Sequence, residues 1–96
     1  MPYVYILECS DGSYYTGSTL DLVRRLAQHR AGVGANYTAG RLPVTLVYSE
    51  QYDRIDEAFR REKQVQGWGR NKKRALIEGR FEHLPELSAS KTKGER

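Results

Sequence analysis

With 96 residues, 39% of them hydrophobic and 29% charged, the chain can fill one modest core and has no room for a second. This balance excludes disorder along the whole length, no apolar run is long enough to span a membrane, and the opening MPYVYILECSDG does not read as a secretory leader. A single cysteine, Cys9, excludes an internal disulfide and a cysteine-rich zinc site, which suits a cytoplasmic location, while a net charge of +4 allows a polyanionic partner.

Residues 3 to 9 alternate apolar and aromatic side chains, Ser10-Asp11-Gly12-Ser13 supplies turn chemistry, and Tyr14 to Gly17 resumes the strand pattern. A β-hairpin therefore opens the chain. Alternation puts Tyr3, Tyr5 and Leu7 on one face and Val4 and Ile6 on the other. Cross-strand packing accounts for Tyr3 and Tyr14, and it also accounts for Tyr5 and Tyr15 unless charged groups converge on them.

Ser18 and Asp21 form a capping pair for a helix whose apolar residues Leu22, Val23, Leu26 and Ala27 recur until Gly32. Successive residues turn by roughly 100°, so Arg25 and His29 fall side by side at the Leu22 edge of the apolar arc, and Arg24 points farther out. Taken alone, this pair reads as a snorkelling arginine and a surface histidine. The glycine-rich stretch GVGANYTAGRLP, residues 32 to 43, is a loop, and VTLVYSEQY, residues 44 to 52, is a third strand.

The next helix starts at Asp53 or Asp56 and carries Ile55, Ala58, Phe59 and Val65, a stripe that passes through Glu62 near its centre. A carboxylate there needs a cation, several donors or an opening to water; an ion pair with an arginine and a divalent metal both satisfy it. Gly67 and Gly69 around Trp68 end this helix, and residues 70 to 79 form a short last one. Residues 60 to 80 hold Arg60, Arg61, Lys63, Arg70, Lys72, Lys73, Arg74 and Arg80 against Glu62 and Glu78 alone, a phosphate-binding footprint or a solvated helical face. The expected organisation is one domain over residues 1 to 82 and a polar, disordered tail over 83 to 96. Its fold is α/β in the layered α+β sense: a small three-stranded antiparallel sheet flanked by helices, in the order β-β-α-β-α-α.

The triplet Tyr3-Val4-Tyr5, then Tyr15-Thr16-Gly17, Arg25, His29 one turn later, and Glu62 within Ala58-Phe59-Arg60-Arg61-Glu62 resemble the motifs of the GIY-YIG endonuclease superfamily. The likeness covers roughly residues 3 to 79 and is to its stand-alone, single-domain bacterial branch, of the UPF0213 type; it is also similar to the nuclease domain of a structure-specific endonuclease catalytic subunit. Two departures stand out: the first triplet has Tyr-Val in place of Gly-Ile, and Thr16 replaces an isoleucine.

The resemblance implies phosphodiester hydrolysis with one Mg²⁺ or Mn²⁺ ion held by Glu62. In it Tyr5 would accept a proton from the attacking water, Tyr15 would orient the water or the phosphate, Arg25 would neutralise the transition state, and His29 would hydrogen-bond the tyrosine or phosphate. Tyr37 on the glycine loop would touch substrate or pack over the sheet. Arg70, Lys72, Lys73 and Arg74 would track a nucleic-acid backbone, with Trp68 stacking on a base or filling core. The implied substrate is DNA, branched, flapped or single-stranded, with RNA as the alternative, read with little sequence specificity by a monomer or weak dimer that meets no membrane. Competing readings are a nucleic-acid-binding module that is catalytically silent and a nuclease subunit completed by a protein partner.

Overall fold

A computed structural model of the chain describes residues 1–79; Arg80 and the expected tail over 83 to 96 lie outside the described residues. The chain divides into two compact units, Met1–Gln66 and the segment that begins at Gly67. The first contains β1 (Tyr3–Glu8), β2 (Tyr14–Thr19), α1 (Leu22–Arg30), α2 (Asn36–Ala39), β3 (Thr45–Gln51) and α3 (Ile55–Gln66), and the second contains α4 (Arg70–Ile77). The expected three-stranded antiparallel sheet and element order are present, with one extra helical turn, α2, inside the stretch read as loop.

Strand β1 lies in the middle, between β2 and β3, and is antiparallel to both. A central strand loses water on both faces, which is why Val4, Tyr5, Ile6 and Leu7 are all buried. On one face Tyr5, Leu7, Cys9 and Val44 form a core closed by Tyr15, Leu22, Leu26 and Leu46. Against the other face packs α3, with Ala58 and Val65 buried. The hairpin turn is closed by the Cys9 amide donating to the Ser13 carbonyl at 2.8 Å, and Gly12 supplies the positive φ of 83° that the turn needs.

Three local expectations change. Ser18 remains in β2 and does not cap α1; Asp21 alone does so, accepting from the Arg24 amide at 3.1 Å. The buried arc of α1 is rotated toward His29, which is fully buried, while Val23 is 81% exposed. The stripe of α3 is likewise rotated, so that Ile55 and Phe59 are 47% and 52% exposed and Glu62 stays on the sheet side with Ala58 and Val65. In both helices the arc turned toward the sheet includes polar side chains that meet partners there, which hydrophobic periodicity alone does not register.

Candidate active site

Tyr5 projects from the middle strand into the α1 side, and three features converge on its hydroxyl. His29 Nε2 stands 2.8 Å away, and Arg25 Nε donates to it at 3.4 Å. The third is an absence of bulk: Gly17 is the cross-strand partner of Tyr5, and a methyl group there would lie 2.5 Å from the phenol oxygen. Arg25 is then fixed by Nη1 donating to Gln28 at 3.0 Å and Nη2 donating to the Gly34 carbonyl at 2.9 Å. Arg24 is exposed, so Arg25 is the arginine of α1 that reaches the tyrosine.

His29 is held from its far side as well, by Thr38 Oγ1 at 2.8 Å from Nδ1. Gly34 closes over the ring, since a methyl at that position would come within 2.5 Å of Nδ1. Tyr15 meets the imidazole edge-on with centroids 5.3 Å apart, Tyr37 stacks on Tyr15 at 6.0 Å, and the Arg41 guanidinium lies 3.9 Å from the centre of the Tyr37 ring. The loop thus folds back as a short helix whose two middle residues, Tyr37 and Thr38, touch the two rings that flank Tyr5.

The electrostatics follow from burial. Desolvation pushes the Tyr5 phenol above its ordinary value; the hydrogen bond and charge of Arg25 pull it back in part, and Tyr15 and Glu62 add to the rise. Burial and the neighbouring Arg25 charge push His29 below its ordinary value, so the resting pair is a neutral phenol facing a neutral imidazole.

Glu62 stands elsewhere, because the β2 register puts Gly17 opposite Tyr5 and Ser18 opposite Val4, on alternate faces of the sheet. Ser18 Oγ donates a short hydrogen bond to Glu62 Oε1, and Gln66 Nε2 donates to Oε2 at 2.7 Å and to the Thr16 carbonyl at 3.1 Å. Tyr5, Tyr15, Arg25 and His29 are therefore one cluster, and Glu62 lies across the edge strand β2 from it, held by Ser18 and Gln66. An open depression of about 330 Å³, lined by Ser18, Thr19, Asp21, Arg24, Arg25 and Gln28, joins the two through Arg25 and Ser18. The Glu62 charge also acts on Tyr5.

Among the described residues no arginine forms an ion pair with Glu62; that role belongs to Glu50 on β3. Glu50 accepts from Arg61 Nε at 3.0 Å and Nη2 at 3.1 Å, from Tyr48 at 2.5 Å and from Tyr52 at 2.7 Å. Burial alone would raise the Glu50 carboxyl, but these donors outweigh it and hold it below the ordinary carboxylate value.

Glu62, with the Ser18 hydroxyl beside it, fits a hard divalent cation, which accepts a single carboxylate and keeps most of its shell as water and phosphate oxygen. Among the described residues no three His, Cys, Asp or Glu side chains stand together as a soft-metal site would require.

In the second unit Arg70, Lys72, Lys73 and Arg74 all lie on α4, and Lys72 Nζ sits 4.3 Å from the Trp68 ring centre. Burial lowers Lys73 from its ordinary value. Sequence reasoning did not single out Thr38, Gly34 or Gln66, and it took Ser18 for a helix cap. Of these only Ser18 carried a signal, since alternation places it on the opposite face from Gly17.

The chain matches a family model described as the GIY-YIG catalytic domain over residues 1–75. It is 54% identical over 77 residues to a UPF0213 protein of Halobacterium salinarum, a stretch covering 80% of this chain and 100% of that one. A UPF0213 protein of Staphylococcus haemolyticus is 47% identical over 78 residues, covering 81% and 95% of the two chains. Among solved structures, the solution NMR structure of a UPF0213 protein from Bacillus halodurans has 45% identity and a TM-score of 0.54, covering 94% of this chain and 100% of that one. A protein of E. faecalis, also solved by solution NMR, has 31% identity and a TM-score of 0.55, covering 96% and 93%. With tyrosines, arginine, histidine and glutamate set on this frame, the chain belongs to the GIY-YIG family, whose nucleases generally use a divalent metal ion.

Proposed function

We propose that the protein is an endonuclease that hydrolyses phosphodiester bonds in DNA with one Mg²⁺ or Mn²⁺ ion. The observation that carries this reading is the buried Tyr5–His29 pair under the Arg25 guanidinium, with the Glu62 carboxylate across β2 on Ser18. Charge separation between a nucleophile and a leaving oxygen needs this division of labour.

Arg25 holds a positive charge at the mouth of the depression and neutralises the phosphate as charge builds on it. Tyr5 is a poor base by itself, because burial keeps its proton on. It works as a relay: the attacking water gives a proton to the phenol oxygen while the phenol proton passes to His29 Nε2. Tyr15 packs on His29 and orients the water or the phosphate. Glu62 and Ser18 would hold the ion, whose charge would offset that building on the leaving oxygen. Tyr37 contacts the substrate strand, and Arg70, Lys72, Lys73 and Arg74 contact phosphates, so the enzyme reads backbone and shape, with branched, flapped or single-stranded DNA of repair or recombination as substrate.

The test is incubation of labelled branched, single-stranded and duplex DNA and RNA with Mg²⁺, Mn²⁺ or EDTA, for the wild type and Glu62→Ala. Metal-dependent cutting that Glu62→Ala reduces by about a hundredfold or more is expected. Cutting that persists unchanged in EDTA sinks the metal role. Arg25→Ala should bind and cut poorly, whereas Arg24→Ala should retain activity.

One observation favours the second reading, a silent binding module or a subunit that needs a partner: both Glu62 oxygens are engaged by internal donors, Ser18 and Gln66. Binding without cutting under either metal supports it.

A further inference from the structure

We infer that Thr38 is a positioning residue: it fixes the tautomer of His29 so that Nε2 stays bare and can take the proton of the Tyr5 hydroxyl. The functional consequence rests on the nuclease reading, while the tautomer itself does not.

A threonine hydroxyl has one proton to give, and Thr38 Oγ1 gives it to the Ala35 carbonyl at 3.1 Å. With that proton on the Ala35 carbonyl, the 2.8 Å contact with His29 Nδ1 uses an oxygen lone pair, which assigns the proton between them to Nδ1. A neutral imidazole carries one N–H, so Nε2 is left with a lone pair, 2.8 Å from the Tyr5 oxygen. Arg25 Nε fills a lone pair on that same oxygen, which orients the phenol proton toward the ring. Arginine, phenol, imidazole, hydroxyl and carbonyl thus form one directed chain.

Water does not reach the far end of this chain to replace Thr38, since Thr38 and His29 are both 0% exposed. The ring cannot tilt to another partner, because Gly34 closes over Nδ1. The single turn of α2 has the backbone bonds to hold Thr38 in place: the Ala39 amide donates to Ala35 at 2.9 Å and the Arg41 amide donates to Thr38 at 3.0 Å. In the reaction, the Tyr5 O–H bond breaks as the His29 Nε2–H bond forms. The phenol oxygen regains a proton from the water, and the resulting imidazolium keeps its Nδ1–H on Thr38.

Two-bond ¹⁵N–¹H spectra of the ring read the tautomer directly, with His29→Gln identifying the His29 signals. The wild type should show Nδ1 protonated, Thr38→Val should shift the population toward Nε2–H, and Thr38→Ser should restore it. An Nε2-protonated wild type, or no change in Thr38→Val with its spectrum still dispersed, overturns the inference. In parallel, the maximal cleavage rate should fall about ten- to a hundredfold in Thr38→Val and recover in Thr38→Ser, with little change in DNA affinity. If the wild type cuts nothing, the nuclease reading fails, and the ring-nitrogen signals still decide the role of Thr38.

Discussion

Two neighbouring residues of β2 make opposite demands on the fold. Thr16 Oγ1 is buried with no hydrogen-bond partner among the described residues, at the position where the family motif has isoleucine. An unpaired buried hydroxyl costs about 1–3 kcal/mol, so Thr16→Val should raise the denaturation midpoint, by about 1 kcal/mol in stability. Gly17→Ala should do the reverse. Its methyl would press on a Tyr5 ring that is walled in, at a cost of about 1–3 kcal/mol in the same denaturant titration. His29 sets a third residue-scale outcome through its protonation. Burial and Arg25 lower its folded value below 6.5, and the imidazole must be neutral to accept a proton. Cleavage should therefore be flat around neutral pH and fall only when the pH drops below that ordinary value. The same sign applies to stability, which His29 contributes above 6.5 and which is lost as the pH falls through the depressed value. A pH–rate profile with an acid limb at or above 6.5 would contradict this.

At the scale of elements, α3 and β3 are clamped by the bidentate pair of Arg61 and Glu50, with Tyr48 and Tyr52 as further donors. The two charged side chains are 21% and 17% exposed, so removing one leaves the other charge poorly solvated. Arg61→Ala should cost about 2–3 kcal/mol by chemical denaturation, more than Arg60→Ala, whose side chain is 72% exposed. The cluster also limits the pH range. Glu50 has a lowered value, so its stabilisation is present above the ordinary carboxylate value and lost as the pH falls through the folded one. Tyr52, pushed up to about 12 by burial and then by Glu50, contributes below 10 and loses that contribution as the pH rises toward its folded value. Stability measured against pH should fall at both ends, and Glu50→Gln should flatten both limbs.

For the whole molecule, a net charge of +4 with the cations concentrated late in the sequence predicts binding driven by counterion release. Lys72→Ala, Lys73→Ala and Arg74→Ala combined should weaken DNA binding about equally across sequences. The slope of log affinity against log salt should drop by about one for each phosphate that these side chains no longer neutralise. An unchanged slope in a fluorescence-anisotropy titration would remove α4 from the binding surface. No helix among the described residues is long and apolar enough to cross a membrane.

Alternation and helical spacing were enough to read the hairpin, the three strands and the main helices, because period 2 and period 3.6 are local properties of the chain. The motif spacing was enough to bring Tyr5, Tyr15, Arg25, His29 and Glu62 to attention. What it left open was which way each helix turns its polar residues. That depends on partners distant in sequence: Tyr5 and Thr38 draw His29 fully inward, and Ser18 and Gln66 take up Glu62 on the far face of β2. The one turn of α2 was equally illegible, since it is too short to show a period. Tertiary structure alone decided that this turn would supply the hydroxyl behind His29, because a hydrogen bond between residues brought together only by folding leaves no pattern in the sequence of either.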